Sequence, residues 1–246
     1  MVSYLALIAA GIIVLAQLSA RWLTPLASSV LQDWLPAALL LVPYWQIGRF
    51  FMKPDAQMEV QLTAFDQALF RMLGIQPAKF PIGIAAGVYL ELAYLVAYPL
   101  IPLGLTALYL THLRRFATYY WTVVLPSTYA CNAMTPFVQA MPPRALNYYE
   151  KFRMPSSKIG MFNHGILRYA GIQAISFPSA HVASSVAVAL VLLRLEPSVG
   201  LIFVGIALSI ALATIVGGYH YAADVLLAVL AAALVFVATF PLLKPG

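Results

Sequence analysis

The sequence predicts an all-α membrane protein: a polytopic transmembrane helical bundle of six to seven spans, with an amphipathic interfacial helix. Three observations predict this. Hydrophobic residues make up 63% of the 246-residue chain, and its mean hydropathy is +0.88. A soluble domain carries roughly 45–50% apolar residues, so one buried core does not absorb this excess. Apolar runs of about 20 residues, the length a bilayer demands of a helix, recur along the chain. The alternating segments of about ten residues that mark a membrane barrel are not seen.

Taken in order, the apolar runs place spans at roughly 2–20, 35–51, 83–111, 116–137, 180–195, 198–217 and 220–240. The first ends Leu18-Ser19-Ala20 but has no basic segment before it and is followed by Arg21. It therefore reads as a retained helix and not a cleaved signal. The third contains Glu91, Pro99 and Pro102. Proline removes a helical hydrogen bond, so this span is expected to kink or divide, which leaves the count at six or seven. Glu91 is expected either to line a substrate cavity or to pair with another polar side chain.

Two stretches do not span. Residues 52–81 hold Lys53, Asp55, Glu59, Asp66, Arg71 and Lys79, with Leu62, Phe65, Leu69 and Leu73 at helical spacing. This predicts a helix lying on the membrane, either bracing the bundle or forming a ramp for substrate. Residues 138–178 form the longest polar connection and carry Arg144, Glu150, Lys151, Arg153, Lys158, His164 and Arg168. Loops of this length are often functional. No repeat divides the chain, so residues 1–246 read as one membrane domain.

Composition also excludes function classes. Cys131 is the only cysteine, so no intramolecular disulfide and no cysteine-based metal site is expected. It sits in an apolar run and reads as an inert buried thiol. The net charge of +6 comes without a basic run, so membrane lipids rather than nucleic acid are the expected partners. No cofactor and no metal is implied. His112 reads as a membrane-boundary group, His164 as a surface group, and Tyr119, Tyr120 and Trp121 as an interfacial belt. If seven spans alternate, one face gathers residues 52–81, the 138–178 loop, His181 and the Gly217-Gly218 turn. The other gathers Arg21, Arg114, Arg115, Arg194 and Lys244. The short basic turns favour placing that second face in the cytoplasm and the first outside it.

Chemistry is concentrated in two motifs at the ends of apolar runs. The first is Phe177-Pro178-Ser179-Ala180-His181; the second is His220-Tyr221-Ala222-Ala223-Asp224. Ionisable groups at such boundaries are costly and point to function. The four-residue spacing of His220 and Asp224 puts both on one helix face. The carboxylate then fixes one imidazole nitrogen and leaves the other free as base or nucleophile. In the first motif Pro178 suits a helix start, Ser179 suits its N-cap, and His181 follows in the first turn. Unpaired backbone N–H groups there favour an anion. Upstream, Pro142-Pro143-Arg144 offers a guanidinium able to grip phosphate with two prongs.

An arginine element, then Ser-x-His, then His-x-x-x-Asp over roughly residues 115–240 resembles the type 2 phosphatidic acid phosphatase superfamily. The sequence departs from that pattern in three places. Ala180 stands where the superfamily has glycine. Thr214, preceded by Ala213, stands where it has an arginine six residues before the histidine. Arg144 lacks both a following proline and a lysine seven residues before it. Phe-Pro-Ser-x-His, the upstream Pro-Pro and His-Tyr-x-x-Asp without the preceding arginine are similar to the inositol phosphorylceramide synthase branch. Sphingomyelin synthases share His-Tyr-x-x-Asp.

The resemblance implies that His220 attacks phosphorus and Asp224 orients it. It implies that His181 protonates the leaving oxygen and then activates water or an alcohol, and that Ser179 and Arg144 hold phosphate oxygens. Lys151, Arg153 and Lys158 are candidates to replace the cation absent at Thr214. The expected activity is hydrolysis of a lipid phosphomonoester or diphosphate. One alternative is a phosphotransferase moving a phospho-headgroup to a lipid hydroxyl. Another, from a different class, is a transporter whose histidines conduct protons.

Overall fold

Eleven α-helices carry the chain in a computed structural model that describes residues 2–19, 21–169, 171–172 and 175–242. They are α1 (Val2–Ser19), α2 (Pro25–Leu39), α3 (Leu41–Ile47), α4 (Ala56–Met72), α5 (Ile84–Val96) and α6 (Leu100–Leu110). There follow α7 (Ala117–Met134), α8 (Lys158–Tyr169), α9 (Ala180–Leu195), α10 (Pro197–Val216) and α11 (Ala222–Thr239). No strand ladder occurs among the described residues, only an isolated bridge between Pro81 and Arg153. Lys244, assigned by sequence to the face opposite the motifs, lies outside the described residues.

Three stretches are long and apolar enough to cross a membrane: Pro25–Phe50, Pro197–Val216 and Ala222–Leu242. Pro25–Phe50 begins ten residues before the run predicted at 35, because Pro25 opens a helix capped by Thr24, whose side chain accepts the Ala27 N–H. The span predicted at 83–111 divides into α5 and α6, bent by 74° at a break before Pro99, and makes a fourth stretch if counted as one. Ser3–Ser19 and Ala180–Leu195 are apolar but shorter. α7 is long enough but less apolar, with Thr118, Thr122, Ser127, Thr128 and Asn132 along it. Its hydroxyls return to their own helix: Ser127 donates to the Val123 carbonyl and Thr128 to that of Val124, each at 2.8 Å. An internal helix tolerates hydroxyls satisfied in this way.

The core forms around α9. α7, α10 and α11 pack against it, with α6 beside them. Its small residues Ala180, Ala183, Ala187 and Ala189 are buried and let neighbouring backbones approach. Tyr119, Tyr120 and Trp121 belong to this core and not to an interfacial belt. Each has an interior packing position, and the fully enclosed Tyr120 donates to the Ile101 carbonyl at 2.5 Å while Trp121 donates to the Asp33 carbonyl at 2.7 Å. Cys131 is fully buried, as expected. At the α9–α10 turn the backbones nearly touch: a Cβ on Gly200 would lie 2.1 Å from the Leu193 Cα.

α4 is the interfacial helix, but its inward face differs from the predicted apolar stripe. Leu62 is buried, whereas Phe65 and Leu73 are 44% and 57% exposed. The buried face is Glu59, Leu62, Thr63, Asp66 and Phe70. Its acids grip the two connections that carry the motifs. Glu59 accepts the Met141 N–H at 2.9 Å and the Tyr148 hydroxyl at 3.2 Å. Asp66 accepts the Ala222 N–H at 2.9 Å and the Tyr149 hydroxyl. α4 braces the bundle, with Phe65 and Leu73 facing out.

The close approach at Gly200 makes a strong demand on one side chain. Gly200→Ala should shift the hairpin and cost about 1–3 kcal/mol, as overpacking does. Thermal unfolding in detergent reads this, and an unchanged midpoint would show that the hairpin yields freely.

Asp66 makes a pH-dependent contribution. Burial lifts its carboxyl to about 6, against the opposing hydrogen bonds from Tyr149 and Ala222. The folded state then holds a proton that the unfolded state releases above about pH 4. Stability should therefore fall as pH rises from about 4 through about 6, and Asp66→Asn should lack this component. Unfolding temperatures measured across that range check it; parallel curves for the two proteins would contradict it.

Candidate active site

Both motifs form where helices begin. Ser179 is the N-cap of α9, and its hydroxyl accepts the Val182 N–H at 3.5 Å. The hydroxyl of Ser176 accepts the Ala180 N–H at 3.2 Å. Between α10 and α11 the Thr214 carbonyl accepts N–H groups from Tyr219 at 2.9 Å and His220 at 3.1 Å. The residue in the place of the superfamily's arginine thus shapes the turn through its backbone. Gly218 adopts φ +65°, and a Cβ there would meet Arg144 within 3.1 Å. Its carbonyl accepts the Arg144 N–H at 3.0 Å, so the upstream arginine element is tied to the His220 turn.

Asp224 unites the site. Its Oδ2 lies 2.9 Å from His220 Nδ1 and accepts the Tyr221 N–H at 3.2 Å. Its main-chain carbonyl accepts the Ser179 N–H at 3.2 Å, which draws the start of α9 against the start of α11. With Nδ1 engaged, Nε2 is the free nitrogen of His220. Burial, and then the positive charge of Arg144, push this imidazole below its ordinary pKa and keep it neutral. A neutral ring with one nitrogen held by carboxylate is an oriented nucleophile or base.

His181, His220 and Arg144 line one cavity of about 700 Å³. His181 packs edge-on to Tyr98 and tilted against Tyr94, with ring centroids at 5.3 and 5.9 Å. The Arg144 guanidinium lies 4.4 Å from the centroid of Tyr219, which stacks on Tyr94 at 3.7 Å. This stack fixes a cation that is within pairing distance of no carboxylate among the described residues. Glu91 pairs rather than lining the cavity: its Oε2 accepts the Tyr219 hydroxyl at 2.7 Å and the Asn163 amide at 2.7 Å.

Of the five residues singled out by sequence, His181, His220 and Arg144 reach the cavity, and Asp224 stands behind His220. Ser179 is fully enclosed, its hydroxyl spent on the cap, while Ser176 lines the cavity wall. Lys151, Arg153 and Lys158 are absent from that wall. Lys151 donates instead to the Arg144 carbonyl at 3.0 Å. The wall receives His164 and Arg168 from α8; His164 is exposed, as expected, and also borders the cavity. Their four-residue spacing on an amphipathic segment was the available signal.

A second cavity of about 240 Å³ adjoins the first and shares Tyr44, Leu167 and His181 with it. Its remaining wall is largely apolar and includes Leu40, Leu41, Trp45, Ala97 and Ile101. A polar chamber and an apolar slot thus meet at His181, an arrangement that accommodates an amphiphile.

No curated protein and no solved structure matches the chain. The sequence pattern of the PAP2 superfamily matches residues 62–238, a stretch that runs from α4 to the end of α11 and holds Arg144, His181, His220 and Asp224. The chain belongs to the PAP2 superfamily.

Proposed function

We propose that the protein is a membrane-embedded lipid phosphatase that hydrolyses a lipid phosphomonoester or diphosphate through a phosphohistidine on His220. The observation that carries this reading is the His220–Asp224 pair at 2.9 Å, facing the same cavity as His181 and Arg144. His220 Nε2 attacks phosphorus as the bond to the leaving oxygen breaks, and protonated His181 gives its proton to that oxygen. Neutral His181 then takes a proton from water, whose oxygen attacks the phosphohistidine. Inorganic phosphate leaves and His220 is restored. Arg144 neutralises the charge on the phosphoryl oxygens, and such positioning and charge stabilisation dominate phosphoryl transfer. Ser179 acts by capping α9 behind His181.

A lipid alcohol in place of water gives the phosphotransferase reading, like that of the inositol phosphorylceramide synthase branch. The apolar slot beside His181 favours it, since an acceptor lipid entering there would present its hydroxyl to the same base. Product analysis with phosphatidylinositol and ceramide separates the two. The reading carries multi-pass topology, with α1, α2–α3, α5–α6, α7, α9, α10 and α11 as passes and the motif ends outside the cytoplasm. Arg114 and Arg115 of the opposite turn support that direction, although Arg114 also pairs with Asp33 at 2.8 Å.

His220→Ala should lower kcat by roughly 10³-fold or more without unfolding the protein. Turnover above a tenth of wild type would remove His220 from the nucleophile role. His181→Ala should lose about 10²–10⁴-fold with a poor leaving group and much less with an activated aryl phosphate, which needs no proton on departure. Equal losses on both substrates would speak against the acid.

Chelators should leave activity intact, since the charge neutralisation is assigned to Arg144 and not to a metal. Loss of phosphate release in EDTA with recovery in magnesium would overturn this. For topology, single cysteines in the 138–178 loop and the 112–116 turn, in a Cys131→Ala background, are to be labelled in intact cells with an impermeant reagent. Labelling of the loop alone is expected; labelling of the turn alone would reverse the orientation.

A further inference from the structure

The superfamily pattern leaves this site one arginine short, because Thr214 occupies that place and spends its carbonyl on the turn. A dianionic phosphoryl group needs more charge than Arg144 supplies. The three basic residues that the sequence offered for that gap, Lys151, Arg153 and Lys158, do not line the cavity.

α8 does supply charge there. It is a twelve-residue amphipathic helix, Lys-Ile-Gly-Met-Phe-Asn-His-Gly-Ile-Leu-Arg-Tyr. Met161, Phe162, His164 and Arg168 are exposed. Asn163 is buried, and its amide donates to the Glu91 main-chain carbonyl at 2.8 Å and to the Glu91 carboxylate at 2.7 Å. That anchor sets the rotation of the helix. With Asn163 fixed on α5, His164 and Arg168, one turn apart, come to the wall of the same cavity as His181, His220 and Arg144. Among the described residues no carboxylate lies within pairing distance of His164 or Arg168. The only aromatic partner of the Arg168 guanidinium is the ring of its neighbour Tyr169, 5.6 Å away. A cation aimed at a polar cavity and left without a counter-ion is arranged for an anionic ligand.

We propose that Arg168, with His164, is a second anion-binding element of the site, holding phosphate oxygens of the substrate opposite Arg144 and replacing the cation missing at Thr214. This assignment deepens the phosphoryl-transfer reading and rests on it for the identity of the substrate. Arg168 is a binding residue in it, and α8 is the element that makes the site selective for phosphorylated amphiphiles. Ile166 and Leu167, between the two polar residues, line the adjoining apolar slot, so a single helix turn meets both ends of such a molecule.

Two measurements on the full-length protein in detergent test it. Equilibrium binding of inorganic phosphate reports on the anion site without turnover, and phosphate release from phosphatidate in mixed micelles reports on the reaction. Arg168→Gln should weaken phosphate binding and lower kcat/KM by roughly 10- to 100-fold, the worth of a charge-assisted hydrogen bond. Arg168→Lys should recover part of both, and His164→Asn should show a smaller loss. Lys158→Gln, on the same helix but off the cavity, should stay within about twofold of wild type. Arg168 is exposed, so these variants are expected to fold, and each unfolding midpoint is read alongside. Phosphate affinity within twofold of wild type in folded Arg168→Gln would overturn the proposal. So would an equal loss in Lys158→Gln, which would mark a general charge effect. If wild type binds phosphate through Arg168 but releases none from any lipid phosphate, the anion site stands and the phosphatase reading fails.

Discussion

One buried carboxylate holds the functional end of this protein together. Asp224 is fully enclosed at the start of α11, where its side chain takes the imidazole of His220 and its main-chain carbonyl takes the N–H of Ser179. The two motifs lie on different helices, and nothing in either one alone sets their separation. A single residue does so with two different groups. An enclosed carboxylate is stable only with partners, so its burial forces the imidazole and the turn around it into one geometry. The neutral state of His220 follows from the same enclosure.

Around that point the buried and half-buried acids of the chain tie its elements together. Asp33 joins Arg114 and the Tyr109 hydroxyl on the side of the bundle away from the motifs. Glu59 and Asp66 tie α4 to the loops before and after the cavity. Glu91 ties α5 to Tyr219 and Asn163. Among the described residues the basic side chains of the cavity, Arg144, Arg168 and His164, have no carboxylate within pairing distance.

Much of this was legible in the sequence. The apolar runs and the histidine motifs required only composition, spacing and helix-end chemistry, and His181, His220, Asp224 and Arg144 came from them. What escaped was set by tertiary placement. Amphipathicity gave α4 as a helix lying on the membrane but not which of its residues face the bundle. Phe65 and Leu73 face out, while Glu59 and Asp66 join Leu62 and Phe70 on the inside. Tyr120 and Trp121 look like a membrane belt by residue type, yet their polar atoms find backbone acceptors within the core. Arg168 was one of several basic residues in a long loop, and only the placement of α8 shows that it, exposed as it is, borders the cavity. Ser179 and Ser176 could not be told apart until the start of α9 was seen.

The hydrogen bonds of Glu91 have a mechanical consequence. One carboxylate oxygen accepts from Tyr219, the residue before His220, and from Asn163, the residue before His164. The wall that carries α8 and the turn that carries the reacting imidazole therefore hang from the same atom. Neither can be displaced without pulling on the other, so the cavity has the character of a rigid jaw and not of two independent surfaces. A ligand seated against α8 is registered at His220 through two hydrogen bonds, without any movement of the transmembrane helices.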